Sequence, residues 1–305
     1  MCGCRGVMSN LVLIILCLLL GILFQRLKAF PPNASLSLNA YVIYVALPAL
    51  ILNEIPKLRL DHHAVLPVVA AWLVMGFCAL ITYLTARWRA WSSEVTGAML
   101  LVVTLGNSGF LGIPLIEAHL GAEAIPYAIL YDQFGTFIAL NTFGILVAGY
   151  YANTSSHWLD LCKNILRFPP FIALIFAFLL RGMGYPDWLL DVLPRISSTL
   201  VPVVMVAVGL QWQLRLESDH LEPLGIGLVY ILVLAPAFAL GVCLLLGIRG
   251  LAAQVVVLEA AMPAMISAGV LAISHNLAPR LASSLVGYSL MLALVSVWLW
   301  RFVVV

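Results

Sequence analysis

Stretches of about 20 apolar residues, the length that spans the hydrocarbon core of a bilayer, follow one another along the chain with only short polar gaps. No other feature restricts the fold so severely. In hydrocarbon every backbone N–H and C=O needs an internal partner, which leaves helices and closed barrels; runs this long, without polar alternation, read as helices. Composition agrees, with 64% hydrophobic and 9% charged residues, against about 45–50% and about 25% in a soluble domain. A water-soluble fold cannot cover its surface with so few charges. This excludes a soluble enzyme, a disordered chain and a nucleic-acid binder. The net charge of +2 points to no partner. The expected class is an all-α integral membrane protein surrounded by lipid, with no soluble catalytic domain.

Ten spans are predicted: TM1 at Asn10–Phe24, TM2 at Leu36–Ile55, TM3 at Ala64–Ala86, TM4 at Glu94–His119, TM5 at Ala124–Tyr151, TM6 at Pro169–Gly182, TM7 at Leu189–Gln211, TM8 at Leu224–Gly247, TM9 at Leu251–His275 and TM10 at Arg280–Val304. The TM1 run ends in Gln25-Arg26-Leu27-Lys28 without a small-residue cleavage pattern, so it reads as a helix and not a signal peptide. The six cysteines are scattered, and Cys2-x-Cys4 lacks the convergent ligands of a metal site. No cofactor, metal, disulfide framework or nucleic-acid partner is expected.

The polar stretch Ala152–Lys163 divides five spans from five. An odd number of helices per repeat makes the second repeat insert upside down. The predicted organisation is a first inverted repeat at residues 1–151, a cytoplasmic hinge at 152–168 and a second repeat at 169–305. Prolines recur at matching places in the halves, Pro48 with Pro202 and Pro114 with Pro263, a pattern that points to a transporter binding site. In the first half Arg26, Lys28, Arg87, Arg89, Lys163 and Arg167 fall on one side, and Arg5, Lys57 and Arg59 on the other. The positive-inside rule then puts both termini outside, although the second half leans the other way, with Arg215 and Arg280 inside and Arg181, Arg195, Arg249 and Arg301 outside.

TM4 contains Gly106-Asn107-Ser108-Gly109-Phe110-Leu111-Gly112-Ile113-Pro114, which cannot sustain a regular helix. TM9 contains Glu259-Ala260-Ala261-Met262-Pro263-Ala264-Met265-Ile266-Ser267. Two breaks at one depth can cross, aiming the N-termini of both second half-helices at the crossing. Such ends attract anions. The alternative is a kink whose small residues allow close helix packing.

Carboxylates in the membrane are costly and therefore functional candidates. Glu259 sits one turn before Pro263 and could hold a proton or cation, or serve as a buried neutralised group. Asp132 lies in TM5, with hydrogen bonding to neighbouring helices, Asn141 and Thr142 nearby, as its structural alternative. Asn53 and Glu54 read as an interfacial cap with Lys57 and Arg59. No hydrolase, zinc-protease or nucleotide motif appears, so the chain is not expected to be an enzyme.

Asn107-Ser-Gly-Phe-Leu-Gly-Ile-Pro-Leu115 resembles the TM4 motif of the auxin efflux carrier family, which includes plant PIN carriers and bacterial malonate or malate permeases. Ala261-Met-Pro-Ala264, Ala46-Leu-Pro-Ala-Leu-Ile-Leu52 and Val206-Ala-Val-Gly-Leu210 resemble its TM9, TM2 and TM7 segments. The resemblance implies two inverted five-helix repeats with broken, crossing TM4 and TM9, as in bile-acid symporters and sodium/proton antiporters. It also implies a scaffold of TM1, TM2, TM6 and TM7, a homodimer through TM2 and TM7, and an elevator-like transport domain of TM3–TM5 and TM8–TM10. Met262, Met265 and Glu259 depart from its usual pattern.

The expected function is secondary transport of small organic anions, carboxylates such as malonate, malate or auxin-like acids, in a plasma or bacterial inner membrane. Asn107, Ser108, Gly109, Phe110, Gly112, Pro114, Met262, Pro263 and Ser267 form the expected substrate site, with Glu259 and Asp132 holding a coupling proton or sodium. The alternatives are a sodium-coupled symporter of a neutral or amphipathic solute, and a membrane receptor that binds without transporting.

Overall fold

The computed structural model describes residues 2–27, 30–31, 33–58, 65–152, 165–180, 185–211 and 220–304, with side chains from residue 10 onward. Most of the predicted hinge lies outside these residues, as do Lys28, Arg59, Lys163, Arg181 and Arg215. Among the described residues there is no strand, and the helices are α1 (Cys2–Leu27), α2 (Ala34–Lys57), α3 (Leu66–Trp88), α4 (Ser93–Thr104), α5 (Ile113–Leu120), α6 (Ala122–Tyr151), α7 (Pro169–Leu179), α8 (Asp187–Gln211), α9 (Leu221–Leu245), α10 (Leu251–Ala260), α11 (Ile266–Ser274) and α12 (Pro279–Val304). Seven are long and apolar enough to cross a bilayer, namely α1 from Asn10, α2, α3, α6, α8, α9 and α12; α4, α7 and α10 are shorter apolar helices. Large apolar side chains such as Leu19, Trp72, Leu84, Phe176, Val229 and Leu245 face outward. Water would penalise that surface, whereas lipid tails accept it.

Local sequence explains where the helices start, widen and stop. Ser92 caps α4, its Oγ accepting from the Val95 N–H at 3.3 Å. Gly121 ends α5 with φ +90°, a conformation that strains any other residue. Three prolines each sit two residues after a π-helical turn: Pro48 after Val42–Ala46, Pro114 after Ser108–Gly112 and Pro236 after Tyr230–Leu234. A proline has no N–H to give and its ring crowds the carbonyl four residues back. The widened turn absorbs both defects, so Pro48 does not break α2, which runs on to Lys57. Pro202 sits in the first turn of the Leu200–Gln211 segment of α8, where an N–H is unpaired in any case. The matching prolines of TM2 and TM7 therefore differ: Pro48 marks no break, whereas Pro202 follows a turn at Ser198 and Thr199 that separates the Asp187–Ser197 and Leu200–Gln211 segments of α8.

Two apolar cores form. One joins α1, α2, α5, α7 and α8 with the start of α6 and parts of α10 and α12. The other draws its buried residues from α3, α4, α6 and the stretch α9 to α12. Helix α1 crosses α8 at Gly21 and Gly209, where backbones touch. A Cβ on Gly21 would meet Val206 O and lie 2.9 Å from Gly209 Cα. Gly209→Val is therefore expected to destabilise the protein by about 1–3 kcal/mol through forced separation of the helices. A melting curve in detergent checks this, and a transition unchanged from the parent would refute the close crossing.

Candidate functional site

Helix α4 stops at Thr104 because three glycines and a proline follow within ten residues. The chain runs extended through Leu105, and Gly106 pairs with Ala264 as an isolated antiparallel bridge. Two backbone hydrogen bonds fasten it: Asn107 N–H to Pro263 O at 2.7 Å and Met265 N–H to Leu105 O at 2.8 Å. Ala264 N–H donates to Ser289 Oγ of α12 at 3.0 Å. Each break thus satisfies the other's backbone groups, which hydrocarbon could not do.

Beyond the bridge the chain turns helical again on both strands of the crossing. On one side the π turn Ser108–Gly112 opens, with Asn107 O accepting from Leu111 N–H at 3.3 Å and Gly112 N–H at 2.9 Å. On the other side α11 begins at Ile266. The leading N–H groups of both half-helices have no helical acceptor, so each end carries partial positive charge. Between them lies a cavity of about 90 Å³ lined by Asn107, Gly109, Phe110, Asp132, Gln133, Met265, Ile266 and Ser267, and closed by Ile43, Leu47, Phe137, Leu140 and Phe168.

Four π-helical turns border this space: Val42–Ala46, Ser108–Gly112, Asp132–Thr136 and Leu140–Gly144. Such turns redirect side chains and free backbone groups, and they concentrate at functional positions.

The structure gathers Asn107, Gly109, Phe110 and Ser267 around the cavity, together with Asp132. Asn107 is 2% exposed and its Nδ2 has no hydrogen-bond partner. Ser108 turns away from the space. Its Oγ lies 2.7 Å from Asp132 Oδ1 and 2.8 Å from Thr136 Oγ1. With a single proton it donates to one and accepts from the other. Gln133 Nε2 donates to Asp132 Oδ2 at 2.6 Å, leaving Gln133 Oε1 unpaired. Asp132 is thus held from TM4 and from its own neighbour. Asn141 and Thr142 are not its partners; they donate to Phe137 O and Ile138 O of their own helix.

Gly112 and Glu259 meet behind the cavity. A Cβ on Gly112 would collide with the Glu259 carboxylate, and one on Gly109 would lie 2.9 Å from both Asp132 carboxylate oxygens. One five-residue turn therefore carries a carboxylate against each of two glycines. Glu259 is 1% exposed, and neither of its oxygens has a hydrogen-bond partner among the described residues.

Besides Ser108 and Gly112, three more of the predicted substrate-site residues do not face the cavity. Pro114 sits in the first turn of α5 and lines a separate cavity of about 300 Å³ with Glu54 and Glu117. Met262 is buried in the apolar core. Pro263 contributes its backbone carbonyl to the bridge. The sequence reading also missed several residues. Gln133 could have been flagged as an amide inside a span. Ile43, Leu47, Phe137, Leu140, Phe168 and Ile266 look like ordinary apolar residues. At the edge of the protein Glu54 accepts from Lys57 at 2.9 Å and from Asn53 at 2.6 Å, an interfacial cluster.

Among the described residues the cavity lining contains no Lys, Arg or His. Its charge comes from two helix ends, which favour an anion, and from Asp132, which opposes one unless neutralised.

Comparison with known proteins gives a consistent match. Residues 6–301 fit the family described as membrane transport protein. An uncharacterized transporter of Methanothermobacter thermautotrophicus is 32% identical over 97% of both chains. An uncharacterized transporter of Methanocaldococcus jannaschii is 28% identical over 96% of this chain and 98% of its own.

Proposed function

Because the chain belongs to the membrane transport protein family, the family of the auxin efflux carriers, and is a multi-pass membrane transporter, we propose that it is a secondary transporter of small carboxylic acids whose solute binds at the TM4/TM9 crossing. The observation that carries this reading is the convergence of two half-helix N-termini and the unpaired Asn107 amide on one buried cavity. A carboxylate fits such a place, since it accepts several N–H donors at once. In this reading Asn107, Gly109 and Phe110 hold the solute from TM4 and Ser267 from TM9. Phe110, Phe137 and Phe168 enclose its apolar part.

Asp132 and Glu259 would carry the coupling proton or sodium, because an acid-lined cavity without a basic residue cannot accept an anion until its own charge is cancelled. The same feature favours a second reading, a neutral solute driven by a cation on these two carboxylates.

The proposed architecture is ten helices in two inverted repeats. TM3–TM5 and TM8–TM10 move as one body against TM1, TM2, TM6 and TM7, with TM2 and TM7 pairing two copies. Supporting the moving body, one of the two apolar cores is built within TM3–TM5 and TM8–TM10.

The test is uptake into sealed liposomes of malonate, malate, pyruvate and an indole carboxylate, with the corresponding uncharged indole amide beside them, under a proton gradient and then a sodium gradient. Saturable uptake of one acid under one gradient is expected. Cation-driven uptake confined to uncharged solutes selects the second reading, and specific binding without flux would mark a receptor and defeat both.

A further inference from the structure

A third cavity, sharing no residue with the one at the crossing, has the chemistry of an anion site. It occupies about 460 Å³ at one end of the helices, where α3 ends, α4 begins and α6 ends, and is lined by Tyr83, Arg87, Trp91, Ser93, Tyr150 and Tyr151, with Ala86 and Thr96 at its base. Its walls are fixed by close packing: a Cβ on Gly97 of α4 would lie 2.9 Å from Tyr151 Cβ, and the Tyr150 and Tyr151 rings meet edge to face at 5.0 Å.

Among the described residues the lining is rich in donors and contains no carboxylate. Among the described residues the Tyr83, Tyr150 and Tyr151 hydroxyls, the Trp91 indole N–H, the Ser93 hydroxyl and the Arg87 guanidinium make no hydrogen bond, whereas Thr96 Oγ1 is used on Ser92 O at 2.8 Å. The neighbouring Arg89 is occupied differently. It pairs with Glu222 at 3.2 Å and lies over the Trp88 ring at 4.7 Å. One cation and several donors with no partner among the described residues, most of them on exposed side chains, thus line an open space of the size that takes small ligands. An oxyanion with several acceptor oxygens, a phosphate above all, satisfies them together.

Position selects the source of that phosphate. Arg87 and Arg89 close an apolar span, and Trp88, Trp91, Tyr83 and Tyr150 surround them as an interfacial aromatic belt does. That is the depth of lipid headgroups. By helix count it is also the side of Arg26 and Arg167, which the positive-inside rule places against the anionic cytoplasmic leaflet. We propose that this cavity binds the phosphate of an anionic lipid headgroup, with Arg87 as its cation and the tyrosines and Trp91 as its walls.

The experiment measures lipids retained by the purified full chain in native mass spectrometry, offered phosphatidylglycerol and phosphatidylcholine at equal concentrations, with inorganic phosphate as a third arm. The chain and its Arg89→Gln variant are expected to retain phosphatidylglycerol about tenfold better than phosphatidylcholine, and Arg87→Gln to lose that preference. Arg87→Lys should recover part of it. Unchanged melting and gel filtration establish that the variants fold. A preference that survives Arg87→Gln, or that falls equally in both glutamine variants, overturns the site. Binding of inorganic phosphate without a preference for phosphatidylglycerol overturns the lipid assignment in favour of a free ion.

Discussion

Asn107→Ala is expected to lower solute uptake about 10- to 100-fold while leaving the melting temperature equal to the parent's or slightly higher. The two effects separate because the residue's backbone and side chain do different things. The backbone N–H donates to Pro263 O, and the backbone carbonyl receives two N–H groups of the following turn. Alanine keeps all three bonds. The side-chain Nδ2, buried and unpaired, contributes nothing to the fold, and an unsatisfied buried donor costs about 1–3 kcal/mol. A hydrogen bond from it to a charged solute contributes about 1.5–3 kcal/mol, and each 1.4 kcal/mol is tenfold in affinity. Uptake kinetics and a thermal melt on the same preparation decide the matter. Parental uptake by the variant would remove Asn107 from the solute site, and an unfolded variant would show that its side chain has a structural role instead.

Glu259→Gln is expected to uncouple transport. A carboxylate buried in hydrocarbon-facing protein with neither oxygen hydrogen-bonded is too costly to stand as a bare anion. In the proposed reading it holds the coupling proton or cation. Gly112 brings the TM4 turn directly onto that carboxylate, and Gly109 of the same turn rests on Asp132. A change in charge at Glu259 is felt by the backbone that borders the solute cavity. Glutamine keeps the size and removes the titratable group. For one proton per cycle, a gradient of one pH unit supports at most about tenfold accumulation, since one unit corresponds to 1.36 kcal/mol. The variant is expected to equilibrate the solute without accumulating it, in the proton or sodium arm of the liposome assay alike. Its melting temperature is expected to hold or rise. Gradient-driven accumulation that persists in Glu259→Gln assigns the coupling elsewhere, Asp132 being the next group to replace.

These expectations depend on features of two kinds. The spans could be read along the chain, because an apolar run has a length and helix starts and stops have local chemistry. TM3 was placed at Ala64–Ala86 and the helix runs Leu66–Trp88; TM7 was placed at Leu189–Gln211 and the helix runs Asp187–Gln211. The interruption of TM4 was equally legible, since Gly106, Gly109, Gly112 and Pro114 disfavour a helix wherever they stand. Pro48 misled for the opposite reason: a π-helical turn that ends two residues upstream accommodates a proline without breaking the helix.

What the sequence determined by itself is the all-helical membrane class, the approximate places of the seven membrane-length helices and the two weak points in TM4 and TM9. What only the tertiary structure decided is which side chains meet there: Ser108 with Asp132, Gly112 with Glu259, Ser289 with the Ala264 amide, and the ring of Phe110, Phe137 and Phe168 around the cavity. The physical reason is the solvent. In water a helix shows its inner face by an apolar stripe, but in lipid the outer face is apolar as well, so the pattern along α1 or α10 does not say which way a residue points. Facing is then set by close packing, backbone contact at glycines and the few polar groups that must find one another, and those are properties of the assembled helices.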